Sequence, residues 1–169
     1  MTHVAMMPAR RWTSAIVVLA LSAGLSVADP INPADVYVID GDTIRVAGRT
    51  VRLVGFDAPE LGSRARCGLE RMLAARATSR LRQLVRTGGD LDLKLIPCSC
   101  RPGTEGTMAC NNDRACGVLT VQDDDVGNVL MAEDLAPPYV CGRYSCPRRE
   151  PWCPFEPKPP DQNELTDTQ

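Results

Sequence analysis

The sequence predicts a small, disulfide-stapled β-barrel that carries helices. Three observations support this fold class. Short apolar runs rich in β-branched residues alternate with turns containing Gly and Asp, which is typical of short strands. Two segments with helical periodicity interrupt these runs. The chain has eight cysteines in 169 residues, and an even count is typical of a disulfide framework in a small exported domain.

The first 28 residues have the layout of a secretory signal peptide. A basic pair, Arg10 and Arg11, precedes an apolar run over residues 15–25, and small residues end the segment at Ala28. The apolar run is too short for a comfortable membrane span, and a retained N-terminal anchor is the alternative. We therefore expect cleavage after Ala28 and a secreted or periplasmic monomer that does not associate with a membrane.

Composition narrows the possible chemistry of the mature part. Loss of Arg10 and Arg11 would lower the basic residues from 19 to 17 against 21 acidic ones, a net charge of −4. No global basic field would then attract nucleic acid, so local arginines must hold any anionic ligand. The only histidine, His3, lies in the predicted signal, which excludes histidine bases, histidine metal ligands and Ser-His-Asp triads.

Residues 29–153 are predicted to form one domain, and the polar tail 154–169 is predicted to be disordered. We predict strands over residues 35–39, 43–46, 50–56, 91–96 and 117–121, and helices over 67–85 and 125–135. The first helix carries an apolar stripe at Leu73, Ala77, Leu81 and Leu84. Five short strands with a helix after the third suit a closed five-stranded barrel of the oligonucleotide/oligosaccharide-binding (OB) kind.

A loop over residues 97–116 separates the last two predicted strands. Loops of this length in small domains are usually functional or cross-linked, and four cysteines favour cross-linking here. The alternative is a zinc site, because thiolates bind zinc. Its ligands would be Cys98, Cys100, Cys110 and Cys116.

The residues with the clearest chemical pattern lie between Val38 and Glu60. Asp42 and Asp57 offer hard oxygen ligands for a divalent cation. Arg52 offers a guanidinium fork that matches phosphate oxygens, and Glu60 offers a base that could take a proton from water. Asp-Gly alone is an ordinary hairpin turn, but the whole set is what metal-assisted phosphodiester hydrolysis needs.

The segments Ile39–Thr43 (IDGDT) and Arg52–Glu60 (RLVGFDAPE) resemble the staphylococcal nuclease (thermonuclease) family. The resemblance extends from about Val36 to Tyr139 and implies an OB fold and a calcium-dependent nuclease acting on single-stranded DNA or RNA. It implies calcium ligands at Asp42, Asp57 and the main-chain carbonyl of Ala58, where the family usually has threonine. It also implies that Arg52 contacts the scissile phosphate and that Glu60 is the general base.

Three departures from the family pattern bear on activity. Arg114 could be the family's second catalytic arginine, but a register without gaps would put Gly117 there and lose the charge. The helix end at residues 133–136 (EDLA) lacks its usual capping glycine, and a Cys/Pro segment replaces the last helix. The alternative function is therefore a catalytically impaired OB-fold module that binds metal or nucleic acid without cleavage.

Strand geometry raises one difficulty for the candidate site. Strict alternation places Arg52 and Asp57 on opposite faces of a strand, since successive side chains point to opposite sides. A bulge at Gly55 would re-aim the strand and bring the two side chains together.

Overall fold

The computed structural model describes residues 29–153, so the expected signal peptide and disordered tail lie outside the described residues. The strands are β1 (Asp29–Ile31), β2 (Val36–Val38), β3 (Thr43–Val46), β4 (Arg49–Leu53), β5 (Gly55–Phe56), β6 (Leu91–Ile96), β7 (Ala115–Val121), β8 (Asp124–Asp125) and β9 (Pro138–Tyr139). The helices are α1 (Gly68–Thr87) and α2 (Val126–Ala132). Short 3-10 turns lie at Pro33–Asp35, Gly62–Arg64 and Asn111–Asp113.

Most strands belong to one curled, mixed sheet. Its order is β1-β6-β7-β4-β3-β2, with β8 on the edge of β7, and β5 pairs separately with β9. β4 and β7 are parallel, whereas the other neighbours are antiparallel. The predicted barrel is confirmed as a barrel-like curled sheet with two helices. The described strands form an open path from β1 to β2, and not the closed ring that we expected.

The predicted elements all have counterparts, with shifted limits. The third predicted strand is divided at Val54 into β4 and β5, because Gly55 takes a positive φ of 98°. The short strands β1, β8 and β9 were not predicted, since each has only two or three residues and no measurable alternation.

The core lies between α1, α2 and the concave face of the sheet. Its fully buried side chains include Ile44, Val51, Phe56, Leu81, Leu119 and Leu130. The predicted apolar stripe of α1 was partly wrong. Ala77 and Leu81 are buried, but Leu73 and Leu84 are only half-buried, and the buried face also takes in Ala74, Thr78 and Val85. The helix is therefore rotated slightly from the leucine-centred orientation, and small residues let it approach the sheet closely.

The start of α1 is fixed by a reciprocal cap. The Cys67 sulfur accepts a hydrogen bond from the Glu70 backbone N–H at 3.5 Å. The Glu70 carboxylate, which is 1% exposed, accepts from the backbone N–H of Arg66 at 2.6 Å and of Glu60 at 3.4 Å. This resembles a capping box with sulfur in place of a hydroxyl, except that Glu70 accepts from Arg66, one residue before the cap Cys67. It ties the chain that leaves the candidate site to the helix.

The end of α2 is capped without a glycine. Asp134 takes the left-handed conformation with φ of 56°. Its N–H donates to the Met131 carbonyl at 3.1 Å, and the Leu135 N–H donates to the Leu130 carbonyl at 2.9 Å. Aspartate tolerates this conformation better than most residues, so the helix still ends in a Schellman-like turn.

All eight cysteines are paired in disulfides, which are Cys67–Cys153, Cys98–Cys116, Cys100–Cys110 and Cys141–Cys146. The expected cross-linking of the loop is confirmed. The zinc alternative is wrong, because its four cysteines form two of these bonds and offer no thiolate. Disulfides of this density are typical of proteins from oxidising compartments. Among residues 29–153, no helix has both the length and the apolar character needed to cross a membrane.

Candidate functional site

Two tight turns bring the candidate residues together. Asp42 follows the turn between β2 and β3, where its N–H donates to the Asp40 carboxylate at 3.2 Å. β3 pairs with β4 so that Thr43 lies opposite Arg52. The hairpin therefore places the Arg52 side chain beside Asp42 without any long-range contact.

Arg52 bridges both candidate metal ligands. Its Nη1 donates to Asp42 Oδ1 at 3.1 Å, and its Nη2 donates to Asp57 Oδ1 at 2.7 Å. The chain turns at Gly55, which is where the alternation argument required it to turn. All three charged side chains are buried, and buried charges are kept only when they are paired in this way.

Asp42 is the most constrained of these carboxylates. Its Oδ1 also accepts from the Thr43 hydroxyl at 2.9 Å, and its Oδ2 accepts from the Ala58 N–H at 3.0 Å. Burial raises the pKa of Asp42 to about 6; Arg52 opposes the shift, and the negative charge of Asp40 adds to it. Ionised Asp42 is thus costly, and a cation beside it would relieve that cost.

Arg114 reaches the same place from the start of β7. Its Nε and Nη2 donate to the backbone oxygen and side-chain oxygen of Asn111, both at 2.9 Å, and its Nη1 donates to Thr43 Oγ1 at 3.4 Å. Burial, followed by the charge of Arg52, lowers the pKa of Arg114. The competing position, Gly117, lies inside β7 opposite Leu53 and contributes no side chain.

Glu60 lies at the rim of the site with both oxygens paired. Oε1 accepts from Arg149 Nη1 at 2.9 Å, and Oε2 is 2.9 Å from Arg64 Nε. Arg149 Nε also lies 3.2 Å from Asp57 Oδ1. Burial opposes the charged form of Arg149, but Asp57 and Glu60 outweigh it and raise the pKa of its guanidinium.

Sequence reasoning missed Asp40, Arg64 and Arg149. Arg64 is four residues from Glu60, a spacing that could have suggested the pair. Asp40 is part of the IDGDT motif, but the sequence pattern indicates only a turn residue at this position. Arg149 carried no signal in the sequence, because the Cys67–Cys153 disulfide brings its segment to the site.

These side chains surround a polar cleft of about 230 Å³. Its lining is Asp40, Asp42, Arg52, Ala58, Pro59, Glu60, Arg64, Asn112, Arg114 and Arg149. Asp57 does not line this cleft; it is bonded to Arg52 and Arg149 and lines a neighbouring cleft that shares Ala58, Glu60 and Arg149. A second, mostly apolar cleft of about 360 Å³ adjoins it and shares Arg52 and Arg149.

The donor set fits a hard divalent cation. Asp42 and Asp57 are both bonded to the Arg52 guanidinium, the Ala58 N–H donates to Asp42, and the Asp40 carboxylate accepts from the Asp42 N–H. Oxygen donors of this kind suit calcium. In this structure, guanidinium groups provide the positive charge at the carboxylates. Another acidic group, Glu70 with Cys67 and Cys153, does not fit a metal, because its two sulfurs are joined in a disulfide.

A scan against protein-family models finds no match for this chain, and a search of curated proteins finds none. We therefore infer a function from the residues and geometry of the cleft.

Proposed function

We propose that this protein is an exported, calcium-dependent nuclease with a staphylococcal-nuclease-like OB fold that hydrolyses phosphodiester bonds of DNA or RNA. One observation carries the proposal. Arg52 contacts Asp42 at 3.1 Å and Asp57 at 2.7 Å, and Arg52 and Asp42 line a cleft together with Glu60 and Arg114. Metal-assisted phosphodiester hydrolysis uses such a set of groups: two carboxylates, two guanidinium groups and a rim carboxylate.

Each residue has a role in the proposed reaction. Asp42, Asp57 and the Ala58 main chain would hold calcium, which supplies polarisation of the phosphate when it is bound. Arg52 exchanges a carboxylate contact for a phosphate oxygen, and Arg114, which reaches Asp42 through the Thr43 hydroxyl, binds a second one. A Glu60 oxygen takes a proton from water as the water oxygen bonds to phosphorus; the P–O ester bond breaks, and the departing oxygen takes up a proton from solvent.

The test is cleavage of single-stranded DNA and RNA by the oxidised protein, with calcium and with chelator. We expect calcium-dependent cleavage, and Glu60→Gln should lower the rate by about 10²–10⁴-fold, since it removes the base. Glu133→Gln is the matched control, because Glu133 is a similarly exposed carboxylate paired with Arg80 on another face. Equal activity of Glu60→Gln and wild type would refute the assignment of the base.

The second candidate is a catalytically impaired module that binds nucleic acid or metal. The specific observation in its favour is the pairing of both Glu60 oxygens by Arg64 and Arg149. A base held by two ion pairs is poorly placed to accept a proton. Oligonucleotide binding that weakens with salt, with the oligonucleotide recovered intact in calcium, would support this candidate over the nuclease.

A further inference from the structure

Arg149 is paired with carboxylates that a metal-loaded site would need free. Its guanidinium spans Asp57 and Glu60, the one a candidate calcium ligand and the other the candidate base. Asp57 Oδ1 already accepts from Arg52 at 2.7 Å, so two guanidinium groups share this single oxygen.

The segment that carries Arg149 is held by several independent contacts. We name residues 140–153 the strap. The Cys67–Cys153 disulfide joins its end to the start of α1, and Cys141–Cys146 closes a small loop within it. The Tyr139 hydroxyl donates to the Pro147 carbonyl at 2.9 Å, and its ring lies 5.9 Å from the Arg149 guanidinium. Tethering raises the local concentration of Arg149 at the carboxylates.

The charges explain why this position matters for calcium. Asp42 and Asp57 are both buried, and Arg52 alone supplies one positive charge to the two carboxylates. Arg149 supplies a second positive charge at Asp57. With Arg149 in place, four guanidinium groups balance the four carboxylates at the site without any metal; these are Arg52, Arg64, Arg114 and Arg149 against Asp40, Asp42, Asp57 and Glu60. A divalent cation at Asp57 would bring two further positive charges to within a few ångströms of Arg149, where like charges repel.

We propose that Arg149 is a resident counter-ion that calcium must displace, so that the disulfide-tethered strap sets the calcium affinity and moves when the metal binds. This inference rests on the proposed calcium site, and it goes beyond that proposal by linking metal binding to the strap. By reciprocity, whatever holds the strap in place weakens calcium binding, and calcium loosens the strap.

The first test is calcium binding by calorimetry, with wild type, Arg149→Gln and Arg143→Gln. We expect Arg149→Gln to tighten calcium binding by roughly 5–150-fold, the usual range for coupled sites. It should also lower the calcium-free melting temperature, because two ion pairs are lost. Arg143→Gln is the control, since it removes the same charge from the same strap but Arg143 packs on Tyr144 and touches no site carboxylate.

The second test uses Trp152, which lines the same cleft as Asp57, Glu60 and Arg149. It is the only tryptophan outside the predicted signal peptide. Calcium should change its fluorescence in wild type with the same midpoint as calorimetric binding. The change should be much smaller in Arg149→Gln, because residue 149 then forms no ion pair with Asp57 or Glu60 for calcium to break.

The outcomes separate this inference from the proposed function. Calcium binding by wild type with unchanged or weaker binding by Arg149→Gln would overturn the counter-ion role and leave the calcium site standing. Tighter binding by Arg149→Gln, or binding by that variant alone, would support it. Absence of calcium binding in both proteins would overturn the calcium site and this inference together.

Discussion

Asp42 should make the stability of the protein depend on pH in a direction opposite to most acidic residues. Its pKa is raised from 3.8 to about 6, chiefly by burial, so the folded state binds a proton more tightly than the unfolded state. The stabilisation from protonated Asp42 is therefore complete below about pH 4 and is lost as pH rises through 6. A shift of this size corresponds to about 3 kcal/mol of unfolding free energy.

The assay is urea unfolding of oxidised, calcium-free protein between about pH 4 and pH 7.5, for wild type and Asp42→Asn. Other groups titrate in both proteins, so the difference between the two isolates Asp42. Wild type should gain up to about 3 kcal/mol relative to Asp42→Asn on going from pH 7.5 to pH 4. Parallel pH profiles for the two proteins would refute the reasoning.

Calcium adds a second measurement on the same residue. Calcium requires the ionised carboxylate, so protons and calcium compete for Asp42. The apparent calcium affinity of wild type should therefore fall about tenfold per pH unit below pH 6. An affinity that is flat between pH 7 and pH 5 would mean that calcium, if it binds, binds elsewhere.

Three further predictions follow from the fold. Gly41→Ala should destabilise the protein by about 1–3 kcal/mol in thermal unfolding, since a Cβ there would lie 2.6 Å from the Ala58 Cβ and 3.0 Å from the Ala77 Cβ. Gly68→Ala is the control, with nothing within 4 Å, and should be neutral or slightly stabilising. Arg114→Ala should lower turnover by about 10²–10³-fold while leaving the melting temperature unchanged, and Arg114→Lys should rescue little, because an ammonium lacks the planar fork. A few-fold effect would make Arg114 a rim residue. Reduction should raise the intact mass by two hydrogen atoms for each of the four disulfides, and alkylatable thiols in the native protein would contradict this pairing.

The sequence predicted the portion of the site that depends on geometry local to one hairpin and the turn after it. Asp42 and Arg52 belong to adjacent strands of one hairpin, and Gly55 turns the next strand so that Asp57 joins them. The orientation of α1 was harder to predict, because burial of Ala74 and Thr78 in place of Leu73 depends on what the sheet presents to the helix.

Two features lay beyond what the sequence could predict. The position of Arg114 depends on the loop before β7, in which residues 111–113 all take left-handed conformations. The position of Arg149 depends on which cysteines pair, and eight cysteines allow 105 pairings. Local patterns carry no information about either, since both are set by contacts between distant segments.

The parallel pairing of β4 with β7 joins two distant segments of the chain, and the site is complete only when they have paired. It joins Val51 to Ala115, so Arg52 and Arg114 become neighbours only after the intervening helix and strand have been made. Pairings between distant segments are slow to form, because the intervening loop must be closed first. A nascent chain that ends before β7 therefore has the β3–β4 hairpin but lacks Arg114. The Cys67–Cys153 bond adds the strap only in an oxidising compartment, so the finished cleft is reached in steps that follow synthesis.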